Sequence, residues 1–207
     1  MIKLENLTFK YNDGPSFNFP DIDLPDQENL LITGNSGVGK STLLHLLSGI
    51  RRPSSGQIII NKTNIENLNA AQLDKYRGTN MGLIFQQPHF VSGLSSYENV
   101  RLALNISIKD SEQYIYQIFE RLGIEKRMNY SPSKMSLGEK QRLGIARAIV
   151  NKPKVLYADE PTSSLDDSNT EIVIELLLEE ARINNSQLVC ITHDHRVKKY
   201  FENEVNL

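Results

Sequence analysis

Residues 2–11 ("IKLENLTFKY") alternate apolar and polar positions, the period of a strand with one buried face. "NDGP" follows as a turn signal, and "FNFPDIDLPD" is a further extended piece interrupted by Pro20 and Pro25. "NLLITG" is a short apolar strand ending at Gly34. The period then changes: "KSTLLHLLSGI" has helical spacing and stops at Gly49, with "RRPSSG" as punctuation. "QIIIN" predicts a strand, residues 70–78 a short helix, and "MGLIF" another strand. From about Gln87 to Val150 three helical patterns, Tyr97–Leu104, Glu112–Leu122 and Glu139–Val150, follow one another with no convincing strand between them. "KVLYAD" then predicts a strand, 170–182 an amphipathic helix with Ser168 as candidate N-cap, and "QLVCIT" a last strand before the short tail "ENEVNL". Strands alternating with helices predict an α/β fold with a parallel sheet between helical layers, carrying a helical insertion.

Length and composition narrow the class. The 207 residues suit one compact domain, or one domain with an inserted subdomain, and the 39% apolar content suffices for a core. A net charge of −2 argues against a protein that coats nucleic acid. No apolar run approaches the roughly 20 residues of a bilayer span, and "MIKLENLTFK" has no apolar stretch of signal-peptide type. Cys190 is the sole cysteine, which fits a reducing compartment. The expectation is a soluble cytoplasmic protein with no nucleic-acid partner, whose membrane contact comes only through another protein.

The chemistry concentrates where predicted strands end. "GNSGVGKS" (Gly34, Asn35, Ser36, Gly37, Val38, Gly39, Lys40, Ser41) matches G-x-x-x-x-G-K-[ST], follows a strand and opens a helix that continues with Thr42. Glycines let successive N–H groups curl around phosphate oxygens, and the helix N-terminus favours negative charge. Lys40 can reach the β- and γ-phosphates, and the Ser41 hydroxyl can ligate Mg²⁺. "KVLYADEP" puts Asp159, suited to hold Mg²⁺ through water, beside Glu160, placed to polarise a water attacking the γ-phosphate. Such an acid pair alone is common in loops; the phosphate loop upstream gives it meaning. In "VCITHDH", His193 follows a strand and can donate to a γ-phosphate, with His195 as a bystander. Gln86 ends a strand where the insertion begins, either as a coupler touching a metal-bound water or as an ordinary strand terminator. His45 reads as a packed residue of an apolar helix face, and His89 as a loop residue with no role. Asp166, in "TSSLDD", reads locally as a turn residue. "MSLGEKQR" is either a plain helix start or a second phosphate reader.

Taken in order, "GNSGVGKS", "FQQ", "MSLGEKQRLGIARAI", "VLYADEPTSSLD" and "THD" resemble the ATP-binding subunit of an ABC transporter over nearly the whole chain. The resemblance implies a P-loop NTPase core with a mainly parallel sheet (residues 1–86 and 151–207), an N-terminal antiparallel β subdomain and an inserted helical subdomain at about 87–150, all within one domain. It implies a Mg²⁺-dependent ATPase in which a second ATPase subunit, by expectation an identical copy, completes the site. Ser136, Gly138 and Asp166 of one copy would then face the nucleotide on the other, which makes "MSLGEKQR" a phosphate reader in trans. Met135 and Leu137 stand where the family usually has leucine and glycine, and a positive φ at Leu137 would be costly. "PDQENLLITG" lacks the glycine-containing turn the family often has there. Tyr11 occupies the place of an adenine-stacking aromatic, with Phe9 its rival. "RGTNMGLIFQQPHFVSGLSSYENVRLAL" is similar to the branch serving lipoprotein release, macrolide or peptide efflux and cell division. The implied function is to couple ATP-driven dimerisation to export or extraction of a lipoprotein, peptide or drug-like substrate by a transmembrane permease, with the chain peripheral at the inner face of the cell membrane. The rival is an ABC ATPase acting as a mechanical switch on a cell-division or envelope-remodelling assembly. A guanine-specific P-loop protein is disfavoured, because "NKPK" at 151–154 is not N-K-x-D.

Overall fold

The break in the β1 alternation (Ile2–Lys10) has a structural cause. Ile2, Leu4, Leu7 and Phe9 are the buried residues, and the skip from Leu4 to Leu7 coincides with a register shift against β5 between Glu5 and Thr8. The computed structural model describes residues 1–12, 14–104, 111–163 and 165–207. β1 pairs antiparallel with β2 (Ser16–Asn18), β3 (Ile22–Leu24) and β5 (Ser55–Ile60), and β5 with β6 (Thr63–Asn64), making the expected antiparallel sheet.

The second sheet is parallel throughout, in the order β10 (Asn203–Asn206), β4 (Leu30–Thr33), β9 (Gln187–Ile191), β8 (Val155–Asp159), β7 (Met81–Ile84). Its central strands β4, β8 and β9 are almost wholly buried, which explains their continuous apolar runs. One apolar cluster joins this sheet to the antiparallel sheet and to α1 (Lys40–Leu47). The other joins its opposite face to α4 (Ser111–Arg121), α5 (Leu137–Ile149) and α6 (Asp167–Asn184). α2 (Ala70–Asn80) precedes β7 (Met81–Ile84). Between β7 and β8 the described residues form α3 (Ser96–Ala103), α4, two short 3₁₀ turns and α5, without a strand. No helix among the described residues is long and apolar enough to cross a membrane.

The structure corrects one expectation, the N-cap of α6, and adds detail at two other places. The tail "ENEVNL" contains β10 (Asn203–Asn206), an edge strand on β4; Val205 is its single apolar side chain and is only half-buried, so the apolar signal was weak. The N-cap of α6 is Asp166, not Ser168: the Asp166 carboxylate accepts the Asn169 N–H at 2.9 Å, and Ser168 lies inside the first turn. Where a glycine turn was missing before β4, Gln27 itself takes a left-handed φ of 69°. The carboxyl ends of β4, β8 and β9 lie together at one edge of the parallel sheet, where ligands of such sheets bind.

Candidate active site

β4 ends at Thr33, and the loop from Gly34 turns into α1 at Lys40. Gly39 has φ +106°, and a Cβ there would sit 2.6 Å from the Phe17 ring. Glycine is therefore required both by conformation and by the close approach of β2. No side chain caps α1, and its first turn has no acid, so its amide donors face the loop uncompensated. Lys40 is buried, and its ammonium donates to the carbonyls of Gly34 (2.8 Å) and Asn35 (3.1 Å). The loop opens on a cleft of about 960 Å³. Gly34, Asn35, Ser36, Gly37, Gly39, Lys40, Ser41, Thr42, Gln86, Glu160 and His193 all line it. Val38 does not; its side chain turns back toward Gly34.

Glu160 follows β8 with φ 47°, a strained setting for a side-chain-bearing residue, held by its N–H donating to the Ile191 carbonyl at 2.7 Å. Its carboxylate accepts the Thr192 hydroxyl (2.8 Å) and the His193 N–H (3.3 Å), and lies 2.8 Å from His193 Nδ1 and 3.9 Å from Lys40 Nζ. His193 is itself 63% exposed, so it can face both Glu160 and a nucleotide. Asp159 lies behind the cleft wall. Its Oδ1 is buried with no hydrogen-bond partner. Burial, and then the neighbouring Glu160 charge, push the Asp159 carboxyl above its ordinary value, with Lys40 opposing. An unpartnered buried carboxylate oxygen near a phosphate loop suits a cation, and Ser41 and Gln86 supply further oxygens at the cleft. Among the described residues there is no cluster of three His, Cys, Asp or Glu that could hold a metal ion. Gln86 reaches across to donate to Ser163 Oγ at 3.0 Å.

Other predicted residues lie apart from the cleft. Ser136 N-caps α5 in a capping box: its hydroxyl accepts the Glu139 N–H (3.3 Å) and its N–H donates to Glu139, which also pairs with Arg127 at 2.7 Å. Leu137 is the first residue of α5 and is not in the left-handed region, so the side chain costs no backbone strain; it is 51% exposed. Gly138 is exposed, and a Cβ there would meet nothing in this chain. Asp166 is occupied as the cap of α6. Tyr11 stands beside the cleft rather than in it. Its hydroxyl is 3.1 Å from Thr42 Oγ1, its ring packs edge-on to Phe9, and the Arg51 guanidinium lies 4.9 Å over it. Tyr11, Phe9 and Arg51 line a second, open groove.

The aromatic that lines the Lys40 cleft is Phe17. Its signal was the cross-strand pairing of Phe9 with Phe17, visible only once the register is known. His195, expected to be a bystander, also lines the cleft. His45 is half-buried as expected; burial, then the Arg51 charge, lower its pKa.

The family model for "ABC transporter" matches residues 17–163. The lipoprotein-releasing system ATP-binding protein LolD of Legionella pneumophila (strain Lens) is 36% identical over 200 residues, covering 93% of this chain and 88% of that protein. LolD of Buchnera aphidicola subsp. Schizaphis graminum (strain Sg) is 40% identical over 171 residues, 81% of this chain and 75% of that protein. Among solved structures, dimeric MJ0796, a bacterial ABC transporter cassette, superposes with a TM-score of 0.89 at 29% identity, covering 100% and 94% of the two chains. CbiO1 of Clostridium perfringens, part of an ABC transporter complex, has a TM-score of 0.88 at 32% identity, covering 99% and 83%. With the family model spanning most of the chain and full-length relatives at this identity, the protein belongs to the ABC transporter family, as the ATP-binding and ATP-hydrolysing subunit of a membrane transporter.

Proposed function

We propose that two copies of this cassette close around ATP and Mg²⁺, and that hydrolysis drives a permease that releases or exports a lipoprotein. The observation that carries the catalytic reading is the setting of Glu160, a strained, largely buried carboxylate bonded to Thr192 and His193 and facing Lys40 at the cleft wall. In that setting Glu160 accepts the proton of a water attacking the γ-phosphate. Lys40 leaves the loop carbonyls for the phosphate oxygens, and His193 steadies Glu160 on one side and the γ-phosphate on the other. Bound Mg²⁺ would be held by Ser41 and Gln86, and by Asp159 through water, and would neutralise charge on the phosphates. Tyr11, with Phe17 nearer the phosphates, offers the apolar wall for the base.

The composite site is supported by where Ser136 and Gly138 lie and by what Gly138 lacks within one chain. Both are exposed at the start of α5, outside the cleft, and Gly138 is glycine with no internal reason to be. A second copy supplies the reason, since its nucleotide would approach the bare backbone. Residues of about 87–150 act in this reading as a helical subdomain carrying Ser136 toward the partner, with 1–86 and 151–207 as the core. The lipoprotein-releasing relatives favour a lipoprotein over a peptide or drug-like substrate, and a transporter over a mechanical switch. A place at the inner face of the membrane beside the permease follows from that reading.

The test is Glu160→Gln. Loss of a positioned base costs about 10²–10⁴ in rate, so turnover should fall by at least ~100-fold while ATP still binds and now accumulates a dimer on size-exclusion chromatography. Turnover within a few-fold of wild type would remove Glu160 from the role of base. Capture of the ATP-locked protein from solubilised membranes tests the permease.

A further inference from the structure

The two loops that end at the cleft, after β8 and after β9, are joined by the bonds of Glu160 to Thr192 and His193 and of Thr162 to Asp194, and one further side chain extends this link to the segment that carries Asp166. Arg196, to which the sequence reading assigned no role, donates to Asp194 through Nε (2.8 Å, Oδ1) and a terminal nitrogen (2.7 Å, Oδ2). The same guanidinium reaches Asp167 at 2.6 Å and the Leu165 carbonyl at 3.1 Å, both in the segment that carries Asp166. Asp194 in turn accepts the hydroxyl of fully buried Thr162 at 2.8 Å, from the loop just past Glu160. The Asp194 N–H donates to Thr192 Oγ1 at 3.0 Å, and that hydroxyl donates to Glu160 at 2.8 Å. A continuous run of hydrogen bonds thus leads from the Asp166 segment, through Arg196 and Asp194, to the carboxylate of Glu160.

We propose that Arg196 is a positioning residue for ATP hydrolysis: it locks the loop bearing His193 to the loop bearing Asp166, so that the water-activating face and the partner-facing segment move as one body. The proposal rests on the reading of Glu160 as base and of Asp166 as facing the partner subunit. An exposed ion pair would ordinarily contribute little. This one differs because Asp194 is only 8% exposed, is held in a two-pronged pair and is bonded to a buried hydroxyl. The Arg196 contacts, ahead of the Thr162 hydroxyl and against burial, draw the Asp194 carboxyl down to about 2. The clasp is therefore charged throughout the pH range in which ATPases are assayed. Lysine cannot replace it, because a single ammonium cannot span both prongs of Asp194 together with Asp167 and a carbonyl.

The experiment compares steady-state ATP turnover, equilibrium ATP binding and thermal melting for wild type, Arg196→Met, Arg196→Lys, Asp167→Asn and Glu160→Gln. Misplacing a catalytic group costs rate rather than binding. Arg196→Met should lower kcat about tenfold or more with KM and ATP affinity within about twofold, and Arg196→Lys should recover only part of it. Asp167 is 92% exposed, so Asp167→Asn removes the charge from one arm of the clasp, leaving a weaker neutral acceptor, without disturbing packing. It should lower kcat about threefold at unchanged melting temperature. The proposal is overturned if Arg196→Met keeps kcat within about twofold, or if Arg196→Met loses ATP affinity in step with stability while Asp167→Asn turns over normally. Should Arg196→Met fail to fold, Asp167→Asn decides alone: a kcat equal to wild type overturns the proposal. Glu160→Gln separates the two layers, since an active Glu160→Gln defeats the base assignment, whereas an inactive one beside a fully active Arg196→Met defeats only the clasp.

Discussion

Replacing Arg121 with methionine should destabilise the nucleotide-free protein by about 3 kcal/mol. Glu180 lies on the inner face of α6, 1% exposed, and Arg121 of α4 holds it with two parallel bonds of 3.0 Å each. Removing one partner of a buried pair costs about 3–5 kcal/mol, because the other charge stays desolvated. Two features pull the value to the low end. Arg121 is 36% exposed, so water can follow the vacated guanidinium, and Asn184 still donates to Glu180 Oε2 at 3.2 Å. For a chain of this size about 3 kcal/mol lowers the melting temperature by about 6–12 °C. Urea unfolding followed by far-UV circular dichroism gives the free energy directly, and the m value reports whether the native state has loosened. The double variant Arg121→Met, Glu180→Met should recover most of the loss, since an apolar pair is often as stable as the buried ion pair it replaces. A change below about 0.5 kcal/mol for Arg121→Met would show that the pair behaves as an ordinary surface ion pair, and the reasoning from Glu180 burial would fail. The pair ties α4, in the same helical stretch as Ser136, to α6, whose first turn follows Asp166.

Gly39→Ala meets two penalties at once, a φ of +106° and a contact at 2.6 Å with Phe17, and should cost about 2 kcal/mol or more while abolishing ATP binding in a fluorescent-nucleotide titration. Asp159→Asn should raise the melting temperature of the nucleotide-free protein at pH 7 while removing Mg²⁺-dependent turnover. The sign follows from the raised pKa of Asp159: the folded state disfavours the carboxylate, so its penalty is complete above the folded pKa. The gain should therefore fade as pH falls through the folded value toward the ordinary carboxylate value, where both states bind the proton; melting curves from pH 7 down to about 4 check it.

Much of this protein was legible before any coordinates. The apolar runs at β4, β8 and β9 marked a parallel sheet because both faces of those strands are buried. Three capping boxes, at Asn69, Ser95 and Ser136, start helices at or within a residue or two of where the polar–apolar pattern placed them. β10 and the first turn of α6 carry little apolar signal: the strand is an edge strand with Val205 its one apolar residue, and the turn is Asp167, Ser168 and Asn169. Leu137 looked costly by comparison with glycine, but its backbone is ordinary helix, which only dihedral angles can show.

The sequence alone determined what is local. A phosphate loop is a contiguous run in which glycine conformations and a helix N-terminus do the work, so Gly34–Ser41 could be read directly, as could the acids ending β8. Tertiary structure decided what depends on register and on side chains meeting across distance. The bond from Glu160 to His193 joins residues 33 apart, Phe17 reaches Gly39 only because β2 pairs with β1, and Arg196 clasps two loops that share no pattern. The physical reason is that short-range propensity sets φ, ψ and period, whereas which strand lies beside which is set by burial of the whole sheet. The precise partners of Glu160 exist only once β8 and β9 are paired.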